Sequence, residues 1–239
     1  MLIPILCTLA LFSQVPAKAT DPAASLSTRL PANQQDLLDG VNECRRTVNP
    51  TATNMLKAVW NTEAAANSLT YAKTCSMKHS EQVERTLTSG CPCGENLLMS
   101  SYPMSWKAVI KAFCDEKFNM TFGVGPKTEG AEVRHYTQTV GFKSYLTGGD
   151  VVYCPDKMIY FYVVHQCPVG NIEGSIYNPY EAGNTCAKCP GKCENGLCTN
   201  PCACKLEASN CKDYKSMCNI QQVKDGCPLT CGCKDDQIY

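Results

Sequence analysis

The chain has almost no surplus charge and few of the residues that usually carry acid–base or metal chemistry. Its 22 Lys and Arg residues balance 22 Asp and Glu, and it holds only three histidines and two tryptophans. Binding to nucleic acid leaves a basic footprint, so this balance excludes that class of partner. There is no HExxH motif and no GxSxG elbow, the signatures of zinc metalloproteases and serine hydrolases. Internal repeats and low-complexity stretches are also missing. After the first residues no segment is long and apolar enough to anchor the chain in a membrane.

Cysteine is what the chain has in excess. Eleven of the 19 fall between Cys186 and Cys233. A segment that short buries too little apolar surface to offset the entropy of ordering it, so it must be crosslinked. Disulfides persist in oxidising compartments, which predicts a secreted, extracellular protein. The N-terminus agrees: Leu2 to Val15 is an apolar run of leader length, followed by Ala17-Lys18-Ala19, a small-x-small cleavage pattern before Thr20. Removing a leader of residues 1–19 takes Cys7 and Lys18, leaving 18 cysteines and a net charge near −1. Seven of those cysteines precede residue 186 (Cys44, Cys75, Cys91, Cys93, Cys114, Cys154 and Cys167) and eleven follow. Both counts are odd. Full intramolecular pairing therefore requires at least one bridge between the two regions, the alternatives being a free thiol in each or an intermolecular bond.

Helical periodicity dominates residues 33–120. Asn33 is read as an N-cap with Asp36 at N3, and Leu37, Leu38, Val41 and Val48 share one face. A second helix is expected from a Thr62 cap to about Cys75, and a third from Ser105, with Trp106, Val109, Ile110 and Phe113 at helical spacing. After residue 130 the pattern turns to strands: His135 to Val140 alternates, and Asp150–Tyr153 and Met158–Val164 are rich in β-formers. Helices followed by a short antiparallel sheet predict an α+β layered domain. Gly170 to Asn184 reads as a turn-rich boundary, and Asn119-Met120-Thr121 is the only glycosylation sequon not blocked by proline.

Of the three histidines, His79 and His135 stand near carboxylates that spacing alone does not join to them, Glu95 and Glu116. Neutral imidazoles with carboxylates behind them suit a weak zinc site. Ser80 beside His79 is no nucleophile signature, because neighbours in sequence do not place their side chains together.

These motifs together carry a resemblance. Asn54-Met-Leu56 with Trp60, Cys75-Ser-Met-Lys-His79-Ser80, Cys93-Gly-Glu-Asn-Leu97, His135-Tyr-Thr-Gln138 and Cys167-Pro-Val-Gly-Asn171 look like the CAP domain. The run Cys186-Ala-Lys-Cys189-Pro-Gly-Lys-Cys193-Glu-Asn-Gly-Leu-Cys198-Thr-Asn-Pro-Cys202 is similar to the hinge of the cysteine-rich secretory proteins. The resemblance implies an α-β-α sandwich over 20–182, a disulfide-rich hinge over 183–204, and a small helical cysteine-rich domain of ion-channel-regulator type over 205–239. It places the family's cleft tetrad on His79, Glu95, Glu116 and His135, with the two histidines as weak zinc contacts and the glutamates behind them. No cofactor is required, and no settled nucleophile exists, so a non-enzymatic binding protein is expected.

The resemblance also implies the pairs Cys75–Cys154, Cys93–Cys167, Cys186–Cys193, Cys189–Cys198, Cys202–Cys233, Cys211–Cys227 and Cys218–Cys231. Cys44, Cys91, Cys114 and Cys204 are then surplus, and the bridge that parity demands joins Cys204 to one of the other three. Relatives usually carry a further disulfide whose two positions here are Gly149 and Val164, both lost together. An aromatic usual after HYTQ is Gly141, the glycine usual before His135 is Arg134, and Phe113-Cys114 stands where Trp-Tyr is usual. The function implied is modulation of an ion channel by the tail, with Lys212, Tyr214 and Lys215 as candidate contacts. The alternatives are reproductive-tract or gamete recognition of a cell-surface partner through the CAP domain, and carriage of a sterol or lipid.

Overall fold

The computed structural model describes residues 21–205, 207–208 and 210–239. The leader expected over 1–19 lies outside the described residues. Six α-helices and eight strands are described: α1 Pro31–Arg46, β1 Val59–Trp60, α2 Thr62–Ala72, β2 Gly94–Ser100, α3 Trp106–Asp115, β3 Met120–Thr121, β4 Gly125–Pro126, α4 Arg134–Thr139, β5 Leu146–Cys154, β6 Ile159–Cys167, β7 Cys193–Glu194, β8 Leu197–Cys198, α5 Gln221–Gly226 and α6 Pro228–Gly232. The main sheet runs β1-β5-β6-β2, with β5, β6 and β2 antiparallel and β1 parallel to β5.

Strand β6 shows why the sheet is covered on both faces. Side chains alternate across a strand, so Tyr162 and Val164 point one way and Phe161 and Val163 the other. The first pair joins a core with Leu37 and Val41 of α1, Trp106, Ile110 and Phe113 of α3, and Tyr136 of α4. The second packs with Tyr71 and Ala72 of α2. The result is an α-β-α sandwich. The Arg45 guanidinium ties α1 to the loops around it: it is buried and donates to the carbonyls of Leu56, Thr139, Gly141 and Phe142 at 2.7–2.9 Å.

Helices α2 and α3 lie where periodicity put them. Asn61 rather than Thr62 caps α2, accepting from the Ala64 N–H, and Ser105 caps α3 by accepting from that of Ala108. Helix α1 starts earlier than expected, with Pro31 in its first turn; Asn33 instead donates to the Ser25 and Ser27 carbonyls. The HYTQ segment corrects the reading more sharply, because it is helix α4 and not a strand. Glu132 accepts from the Val133 and Arg134 N–H groups at its start, and the Thr139 hydroxyl donates to the His135 carbonyl one turn back. Threonines bonded in this way are compatible with a helix, so their alternation with larger residues does not specify a strand.

Among the described residues the 18 cysteines form nine disulfides. Seven join Cys75–Cys154, Cys93–Cys167, Cys186–Cys193, Cys189–Cys198, Cys202–Cys233, Cys211–Cys227 and Cys218–Cys231. The four surplus cysteines make Cys44–Cys114, which staples α1 to α3, and Cys91–Cys204, which ties the sandwich to the tail. The hinge is further laid along the sandwich by main-chain bonds, with Cys198 N–H donating to the Met55 carbonyl and Lys57 N–H to that of Cys198. Gly149 and Val164, where relatives carry a disulfide, are direct cross-strand partners. A Cβ at Gly141 would stand 2.8 Å from the Gly170 Cα, so the missing aromatic has no room in this packing.

Candidate functional site

The sequence motifs around His79, Glu95 and His135 converge on one open cavity of about 400 Å3, lined also by Arg85, Glu132, Arg134 and Asn171. His79 comes from the loop after α2, Glu95 from β2 and His135 from α4. Glu116, in the turn that follows α3, stands behind His135 rather than on the cavity wall.

Two carboxylates hold the imidazoles. Glu95 Oε1 accepts from His79 Nδ1 at 2.8 Å, and Glu116 Oε1 accepts from His135 Nδ1 at 2.6 Å. The other Glu116 oxygen accepts from the Tyr136 N–H, and Phe113 stacks on the His135 ring at 5.0 Å. A proton held on Nδ1 fixes the tautomer and leaves Nε2 of each histidine as a lone-pair donor.

Glu95 is the hub. It also accepts from Ser80 N–H and Ser80 Oγ, both at 2.9 Å, and from His165 Nε2 at 3.0 Å. His165 is fully buried and lies opposite Glu95 in the β2–β6 ladder. Burial alone would raise the Glu95 carboxyl, but hydrogen bonds from His165, His79 and Ser80 outweigh it and hold the group well below the usual carboxylate range. The Ser80 hydroxyl gives its proton to this carboxylate and accepts from Arg85, so it lacks the imidazole base of a catalytic serine.

Three of these participants escape sequence reading. His165 and Arg85 enter through strand register and loop packing. Glu132 could have been found as an acid three residues before His135: its carboxylate, with Glu116 and His135, brings ligand atoms within 4.8 Å of one another. Burial does not govern Glu132, which the Arg134 N–H pulls below its ordinary value. His79 is not part of that close group. A second close group, Cys186, Cys189 and Cys198, is spent on disulfides. Asn119 of the sequon is exposed beside β3.

Known proteins resemble this chain along both of its parts. Residues 38–166 match the profile described as "CAP: Cysteine-rich secretory protein family", and residues 186–238 match "Crisp". Human cysteine-rich secretory protein 3 is 46% identical over 224 residues, covering 92% of this chain and 90% of the relative. Among solved structures, one of NaASP2 with Zn2+ is similar at a TM-score of 0.58 and 29% identity, covering 70% of this chain and 95% of that one. Na-ASP-1 matches at 0.58 and 27%, covering 70% of this chain and 47% of that one. With its sandwich, its paired tail cysteines and these matches, the chain belongs to the cysteine-rich secretory protein family of the CAP superfamily.

Proposed function

We propose that this is a secreted, non-enzymatic binding protein whose cysteine-rich tail modulates an ion channel. The observation that carries the reading is an exposed apolar edge on the tail. Residues 211–217 form a 3-10 turn, in which positions three apart align, and Tyr214 and Met217 stand 40% and 41% exposed on it. Ile220 follows at the same spacing, with Lys215 alongside. Cys211–Cys227 and Cys218–Cys231 pin the turn at both ends, so little entropy is lost when it docks. Exposed large apolar groups on a rigid scaffold favour contact with a protein surface.

Zinc would be a weak ligand of this cleft, where His135 has Glu116 and Glu132 close by and His79 lines the same cavity. His79 and His135 would hold it through Nε2, with Glu95 and Glu116 orienting the rings. The metal would supply a positive centre for a polar partner. No further cofactor enters the reading.

Patch-clamp recording on calcium, potassium and cyclic-nucleotide-gated channels tests the proposal. The full-length secreted protein should inhibit at least one channel, and Tyr214→Ala/Met217→Ala should weaken inhibition about tenfold or more. Inhibition that survives this change intact removes the tail edge from the reading. A protein inert on every channel would return the family alternatives, recognition of a cell surface through the CAP sandwich and lipid carriage, to first place.

A further inference from the structure

Between the sandwich and the tail lies a pocket of about 250 Å3, which shares only Val169 with the His79–His135 cleft and does not include Tyr214 or Met217 of the exposed tail edge. Its lining includes Leu56 and Tyr145 from the sandwich and Leu229 and Ile238 from the tail. Cys204 is in its lining, so the Cys91–Cys204 bridge helps set its width.

The charges in this pocket do not balance. Lys143, Lys205 and Lys212 line it, and Glu207 is the one acidic side chain among its described residues. Glu207 is committed elsewhere: its two oxygens accept from Leu229 N–H at 2.9 Å, Thr230 N–H at 2.8 Å and Thr230 Oγ1 at 3.0 Å. Among the described residues, none of the three lysines has a carboxylate within ion-pair distance. Lys143 is half-buried. Burial lowers its ammonium from the ordinary lysine value, the nearby Lys212 charge lowers it further, and Glu207 raises it. A partly desolvated ammonium whose nearby carboxylate is hydrogen-bonded elsewhere is unfavourable, and an incoming anion reduces that cost.

We propose that this interdomain pocket binds a small monocarboxylate with an apolar body, its carboxylate between Lys143 and Lys212 and its body against Tyr145 and Leu229. The apolar walls select against inorganic anions, which would lose hydration and gain no packing. The volume lies just below the usual range for ligand pockets, which suits a body of about ten carbon atoms.

Isothermal titration of the full-length, disulfide-intact protein with 2-naphthoate, and with neutral 2-naphthamide, tests this. Naphthoate should bind at least about tenfold tighter than the amide, and Lys143→Gln and Lys212→Gln should each weaken it by about tenfold. Lys188→Gln, whose lysine pairs with Glu181 away from the pocket, should leave affinity unchanged. Lys212 is exposed, so its replacement tests the site even where Lys143→Gln disturbs folding. No naphthoate binding at millimolar concentration, equal affinity for the amide, or full affinity in Lys212→Gln would each overturn the proposal.

Discussion

Replacing Glu95 with Gln should be among the most costly conservative changes in the sandwich. The carboxylate accepts four hydrogen bonds, from His79, Ser80 N–H, Ser80 Oγ and His165, and its side chain is 1% exposed. An amide offers one acceptor oxygen and turns an NH2 toward the two donors on the other side, so one or two of the four donors lose their partner. Each unsatisfied group costs about 1–3 kcal/mol, which places the total near 3–4 kcal/mol. For a protein of this size the expected loss in Tm is about 10 °C. Guanidinium unfolding of both proteins with disulfides intact measures the free-energy loss, and a thermal melt the shift in Tm. The pH dependence gives a second arm. The folded Glu95 carboxyl lies below its reference value of 4.5, so its contribution is fully present above that pH and fades as pH falls toward the folded value. The gap between wild type and Glu95→Gln should therefore narrow below about pH 4.5. A difference under about 1 kcal/mol at pH 7, or a gap that widens on acidification, would refute the reasoning.

Three further changes probe other parts of the molecule. Cys91→Ala/Cys204→Ala opens a bridge spanning 113 residues, but Cys93–Cys167 already shortens the loop to about 40, so denaturant unfolding should show a loss of about 4 kcal/mol. Arg45→Met removes a donor from four carbonyls, of which Gly141 and Phe142 keep main-chain donors while Leu56 and Thr139 lose theirs, and should cost about 3 kcal/mol or more in the same assay. In NMR spectra recorded during a zinc titration, imidazole signals of His79 and His135 should shift in the wild type, and His135→Ala should abolish the response at His79. A response unchanged in that variant would separate the two histidines.

Much of this architecture is legible in the residues, and the gaps have physical causes. Helices α2 and α3 are visible because their buried faces repeat at helical spacing and Ser105 caps the second. Helix α4 hides because it is one and a half turns long, too short to show a period against the alternation of Tyr136, Thr137, Gln138 and Thr139. Strand β2 is masked for a related reason: its first four residues are all buried, so Gly94–Leu97 shows no alternation. His165 cannot be assigned from spacing, since its partnership with Glu95 rests on β2–β6 register. Cysteine parity demands a bridge from sandwich to tail, yet choosing Cys91 over Cys44 and Cys114 needs α1 and α3 to be side by side. Once they are, Cys44 and Cys114 meet and Cys91 is left for Cys204.

The bond that joins the two parts of the molecule is also the most direct point of test. Peptide mapping by mass spectrometry, without reduction and with thiols blocked before digestion, should yield one linked pair containing Cys91 and Cys204 and another containing Cys44 and Cys114. Recovery of Cys204 as a blocked thiol, or bonded to another tail cysteine, would contradict the clamped arrangement and the interdomain pocket built on it.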